Sequence, residues 1–172
     1  MRRLILAAAA AAAAVLPAAA LAGPAAPEVP AGIAVPDGHK PYLVAHAEGV
    51  QIYECTSSAA WRLVAPRATL WGENGKVIGS HYAGPRWETR DGSIVAGARD
   101  AGASVDPTAV DWLRLKAGST TDGRLAATTY IQRIHTVGGL APAAADCSAG
   151  SAGEQREIPY SADYVFFKAT GS

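Results

Sequence analysis

Three dipeptides, Asn74-Gly75, Asp91-Gly92 and Asp122-Gly123, each divide a pair of runs rich in β-branched and aromatic residues. Both members of such a dipeptide tolerate positive φ, which a two-residue hairpin turn demands, so they are strong short-range hairpin signals. The first joins residues 61–71 to 77–82. The second joins Trp87-Glu88-Thr89 to Ser93-Ile94-Val95, and the third joins Trp112-Leu113-Arg114-Leu115 to residues 125–136. Upstream, Val50 and Ile52 alternate against Gln51, Tyr53 and Cys55; downstream, Tyr160, Ala162, Tyr164 and Phe166 share one face at a period of two. Pro66 interrupts its run and predicts a bend, a bulge or an edge position. Only residues 106–110 read as helical, with Asp106 as N-cap and Pro107 at the first position. Turn signals every ten or so residues predict an all-β chain, an antiparallel sandwich or barrel of about eight strands with one short helical turn. No segment carries a helical apolar stripe and no GxGxxG follows a strand. A dinucleotide fold is therefore excluded, and no cofactor is expected.

The first residues carry a different message. Arg2 and Arg3 precede an apolar run over residues 4–16, Pro17 breaks it, and Ala20-Leu21-Ala22 offers a small-x-small cleavage site. The expected layout is a signal peptide at 1–22, an extended Pro/Ala-rich leader at 23–40 and a single β-domain at 41–170. Four prolines (Pro24, Pro27, Pro30 and Pro36) favour a solvated leader. Loss of Arg2 and Arg3 leaves 13 basic against 15 acidic residues, a balance that argues against a nucleic-acid binder. No later segment has transmembrane length, so the mature chain is expected in the periplasm or outside the cell. There, the two cysteines, Cys55 and Cys147, most simply form one disulfide, the alternative being two unpaired buried thiols. Such a loop of roughly 90 residues is worth up to about 4–5 kcal/mol in the chain-entropy model.

An ordered set of motifs carries a family resemblance. Gly49-Val50-Gln51-Ile52-Tyr53-Glu54-Cys55, Trp61, Pro66-Arg67-Ala68-Thr69-Leu70, His81-Tyr82-Ala83-Gly84-Pro85-Arg86-Trp87-Glu88 and Asp91-Gly92-Ser93 are followed by Trp112-Leu113, Tyr130-Ile131-Gln132-Arg133, Thr136-Val137-Gly138-Gly139, Cys147 and Tyr160-Ser161-Ala162-Asp163-Tyr164. The pattern resembles the domain of unknown function 3455 family, secreted proteins of bacteria and fungi, over nearly the whole mature chain. The resemblance implies export but brings no activity and no catalytic residues.

The chemistry-bearing residues admit two expectations. None of His39, His46, His81 and His135 forms HxH, HExxH or another local metal pair, so no metal is expected. His39 is expected in solvent, and His46 to precede a strand without special role. His81 and Trp87 flank Gly84-Pro85, whose turn could bring an imidazole and an indole to one rim. The alternative is structural, with His81 bonded to a backbone group and Trp87 packed in the core. Arg133 and His135 alternate with Ile131 on one face, near Asp163, as an ion pair, a pocket wall or a solvated sheet face. The first functional expectation is a noncatalytic exported β-domain that binds a small molecule or a cell-envelope partner through His81, Trp87, Arg133, His135 and Asp163. The second is a hydrolase or isomerase whose site assembles His81, His135 and a carboxylate such as Asp163.

Overall fold

The computed structural model describes residues 23–171. The expected signal peptide at 1–22 lies outside the described residues. Eight antiparallel strands follow one another around a closed barrel: β1 (His39–Cys55), β2 (Trp61–Gly72), β3 (Val77–Tyr82), β4 (Arg86–Thr89), β5 (Ile94–Ala103), β6 (Trp112–Thr120), β7 (Thr128–Gly138) and β8 (Gln155–Ala169). All three dipeptides sit in connections between neighbouring strands, with Gly75, Gly92 and Gly123 at φ 70, 80 and 110°; the first two connections are tight, while the third runs over 121–127 and its return strand begins only at Thr128. The ring closes through β1 and β8, whose ladder runs from His39↔Ala169 to Glu54↔Gln155. Closure leaves no full-length sheet edge, which solves the edge problem of an antiparallel sheet.

The interior is filled by the inward members of each alternation. Leu43, Ala45 and Ala47 of β1, Leu70 of β2, Leu115 of β6, Ile131 of β7, and Tyr160, Ala162, Tyr164 and Phe166 of β8 form one buried cluster. The outer face carries ion pairs, among them Arg62–Glu54 at 2.8 Å and Arg67–Glu157 at 2.7 Å. Such a surface suits water better than a lipid-facing band. Among the described residues, no helix is long and apolar enough to cross a membrane.

Two expectations need correction. The leader is extended as its prolines require, but it is not solvated along its length. It straps across the outside of the barrel, where Val29 and Val35 pack on Ile134, Val165 and Phe167, and Ile33 is wholly buried. Gln132 Nε2 donates to the Ile33 carbonyl at 2.7 Å, and Arg114 to that of Ala34. Residues 106–110 form a turn rather than a helix. The Asp106 carboxylate accepts from the Thr108 amide at 2.8 Å and the Thr108 hydroxyl at 2.7 Å, a local arrangement that competes with helical bonding. Among the described residues the helical turns are all 3-10 and lie at Ala31–Ile33, Ala144–Asp146 and Ala149–Ser151.

The disulfide is formed: Cys55 and Cys147 bond with S–S 2.01 Å. It ties the end of β1 to the long β7–β8 connection, which the Tyr53 hydroxyl also holds by donating to the Gly139 carbonyl at 2.7 Å.

Candidate ligand-binding site

Alternating strand direction puts the connections at 56–60, 83–85, 104–111 and 139–154 at one end of the barrel, and those at 73–76, 90–93 and 121–127 at the other. At the first end the wall is notched. β3 pairs with β2 from Ala68 to Trp71 only, and β4 pairs with β5 from Ile94 to Ala96 only. Residues 61–67 of β2 and 97–103 of β5 therefore run on past the short β3–β4 hairpin. Pro66 lies in the stretch that β3 does not cover, so its edge expectation is met; the β1–β2 register shift falls at Val64, two residues before it, and Pro66 itself pairs regularly with Gln51. Missing its N–H, proline loses nothing at such a position.

The notch opens on a cavity of about 270 Å³. Leu63, Val64, Ala65 and Pro66 of β2, Pro85 of the β3–β4 turn, and Ala98 and Arg99 of β5 surround its mouth; Gln51, His81, Trp87, Leu113, Leu115, Arg133 and Tyr164 line its interior. Leu63 and Val64 are 48% and 40% exposed, an apolar lip on the opening.

Within the cavity His81 and Trp87 are direct cross-strand partners of β3 and β4, their rings stacked at 4.4 Å with only 9° between planes. Tyr164 closes on both rings, at 4.9 Å from His81 and 5.2 Å from Trp87. Gly97 makes room for the indole, since a Cβ there would stand 3.0 Å from the Trp87 ring. His81 Nδ1 donates to the Arg86 carbonyl at 2.8 Å, which leaves Nε2 as the acceptor of the neutral ring. Burial pushes the His81 pKa down to about 4, assisted by the nearby Arg133 charge and opposed by the bond to Arg86. Burial also raises the Tyr164 phenol, against the pull of Arg133.

The candidate residues thus divide. His81, Trp87 and Arg133 meet in the cavity; His135 and Asp163 do not join them. The exposed rim is not formed, because His81 and Trp87 are 3% and 1% exposed. They line the inside of the cavity, and the backbone bond and packing of the structural reading are both present. Arg133 and His135 do not share a face. A register shift between Ile134 and Val137, with His135 at φ 49°, turns the His135 side chain outward. There Asp163 accepts from two imidazoles at once, His135 Nδ1 and His46 Nδ1, each at 2.8 Å. His46 lies inside β1, opposite Asp163 in the β1–β8 register, not ahead of a strand. An assembly of His81, His135 and Asp163 is therefore absent. His39, half-buried, bonds the Pro36 carbonyl at 3.2 Å and packs edge-on to Tyr130.

Gln51 escaped the sequence reading. Its face of β1, with Tyr53 and Cys55, is the one turned inward, and Gln51 is 1% exposed. Its side-chain oxygen, the Trp87 indole nitrogen and the Tyr164 hydroxyl are buried in the cavity lining without a hydrogen-bond partner. Buried polar atoms are normally satisfied, so three around one cavity are an anomaly with a location. The Tyr164 hydroxyl interacts with Tyr160 beside it and with Arg133, though neither contact has the geometry of an ordinary hydrogen bond. Arg133 donates through Nε and Nη2 to the Asp111 carbonyl, at 3.1 and 2.8 Å.

Residues 36–168 match the model of a family described as a protein of unknown function, DUF3455. No curated protein and no solved structure matches the chain.

Proposed function

The chain belongs to the DUF3455 family, and we propose that it is an exported, noncatalytic barrel that binds a small, largely apolar molecule in the notched end. The observation that carries this reading is the cavity itself, apolar-walled, with unpartnered polar atoms from Gln51, Trp87 and Tyr164 around it. Ligand sites have this composition, a hydrophobic enclosure with few polar groups that fix orientation. At about 270 Å³ the space suits a body of one or two rings. The disulfide supports an oxidising compartment, as does the signal-like N-terminus. His81 meets no carboxylate and is neutral above about pH 4, which favours a hydrogen-bonding wall over a general base.

The test is amide and indole shift mapping by nuclear magnetic resonance with neutral one- and two-ring probes, benzamide and 2-naphthamide. Saturable shifts should cluster at the Trp87 indole N–H and at Gly97 and Ala98. Shifts absent at millimolar probe, or scattered over the outer face, would refute the site.

A further inference from the structure

We infer that the ligand of this cavity is a small organic monoanion, a carboxylate on a compact apolar body, and that Arg133 is its anchor. The inference rests on the small-molecule reading and adds the charge. The cavity lining includes two arginines and no aspartate or glutamate. Of the two, Arg99 is neutralised at the mouth by Asp111, at 3.1 Å. Arg133 is half-buried, and its hydrogen bonds go to a backbone carbonyl, which carries no full charge. Elsewhere Arg62 has Glu54, Arg67 has Glu157 and Arg114 has Asp100, and the other described arginines without an ion pair, Arg86, Arg90 and Arg124, are all exposed, whereas Arg133 is not. A partly desolvated cation without a counter-ion is costly to keep, and an incoming anion offsets that cost.

The donors agree with the charge. A guanidinium has five N–H groups, and Arg133 commits one on Nε and one on Nη2 to the Asp111 carbonyl. Of the remaining three, one approaches the Tyr164 hydroxyl, and the others are available for a planar acceptor such as a carboxylate. Two further donors share the lining: the Trp87 indole N–H, which has no partner, and the Tyr164 hydroxyl, which has no bond of ordinary geometry. The Arg133 charge is felt by Tyr53, His81, Tyr160 and Tyr164, so its field extends across the interior of this end. One uncompensated positive charge matches one negative charge, which favours a monoanion over a phosphate dianion.

The decisive comparison is between 2-naphthoate and 2-naphthamide, nearly equal in shape and different in charge, titrated into the mature oxidised protein. Naphthoate should bind at least tenfold more tightly, with the gap narrowing as salt is raised. Arg133→Gln should abolish the preference, and Arg133→Lys should restore part of it. Equal binding of both probes by the wild-type protein would overturn the charge assignment and leave the cavity reading standing. So would a preference that survives in folded Arg133→Gln. Binding of neither probe would overturn both readings. The wild-type comparison decides the matter even where an Arg133 variant fails to fold.

Discussion

The two ends of this barrel treat polar groups in opposite ways. At the closed end, the β6–β7 connection folds inward and Leu125 plugs the ring with no exposed surface. Its backbone is captured by side chains of the β4–β5 turn. Leu125 N–H donates to Ser93 Oγ at 2.8 Å, and Arg124 N–H to Asp91 Oδ2 at 2.9 Å. Asp91 in turn accepts from the Thr89 hydroxyl at 2.6 Å, and Thr128 bonds both Tyr42, at 2.6 Å, and the Leu125 carbonyl, at 2.7 Å. Gly123 is required here, because at φ 110° a Cβ would lie 2.8 Å from the Asp91 carboxylate. At the notched end, Gln51 and Trp87 keep polar atoms with no partner, and the Tyr164 hydroxyl makes no bond of ordinary geometry. The closed end commits its turn side chains to holding itself together, with the Trp71 indole N–H near it as an exception, whereas the notched end gathers its unpartnered atoms around one cavity. On the proposed function, stability and recognition are separated along the barrel axis.

This separation can be broken by mutation. The largest effect belongs to the plug. Leu125→Ala should cost about 3 kcal/mol in urea unfolding, within the usual range for a buried leucine, and should leave naphthamide binding at the far end unchanged. A loss of binding in the folded variant would mean that the ends are coupled. Acid provides the second test. The unfolded His81 ring titrates near 6.5 and the folded one near 4, so between those values the unfolded chain takes up the extra proton. The stability due to the neutral ring is fully present above pH 6.5 and declines as pH falls toward 4, by on the order of 3 kcal/mol. His81→Gln should flatten that part of a stability–pH profile; an unchanged slope would place the acid sensitivity elsewhere. The smallest effect sharpens the contrast most. Ser93→Ala strands the Leu125 N–H and should cost about 1–3 kcal/mol, whereas Gln51→Leu removes an atom already unpartnered and should change stability by less than about 1 kcal/mol. Equal costs in paired melts would erase the distinction between the ends.

The strands and turns were legible because they depend on neighbours in sequence. The three dipeptides and the alternation of Tyr160, Ala162, Tyr164 and Phe166 each carry their information within a few residues. The cavity was half legible: His81 and Trp87 flank one short turn, and Arg133 stood out as a charge amid apolar residues. Its remaining features depend on distant pairing. Nothing local marks Gln51 as inward, since a glutamine in an alternating strand reads as solvent-facing. The outward turn of His135 comes from an irregular register against β8, and the sharing of Asp163 by His46 and His135 depends on contacts 117 and 28 residues apart. Ile33 was hidden for another reason: a lone isoleucine among prolines and alanines has no periodicity, and only the outer groove of the barrel gives it a place.

The staple between Cys55 and Cys147 also bears on how the barrel forms. The β1–β8 ladder that closes the ring is the pairing most remote in sequence, with Glu54 and Gln155 separated by 101 residues at one end of it. Neighbouring hairpins can zip locally, but this last seam must wait for a long, slow encounter. Once Cys55 is bonded to Cys147, the path between Glu54 and Gln155 shrinks to the short run that follows Cys147. Loop-closure entropy then falls by about 2 kcal/mol, because its cost grows with the logarithm of loop length. Oxidation ahead of closure should turn the seam into a local event, and refolding from the oxidised chain should be faster than from the reduced one.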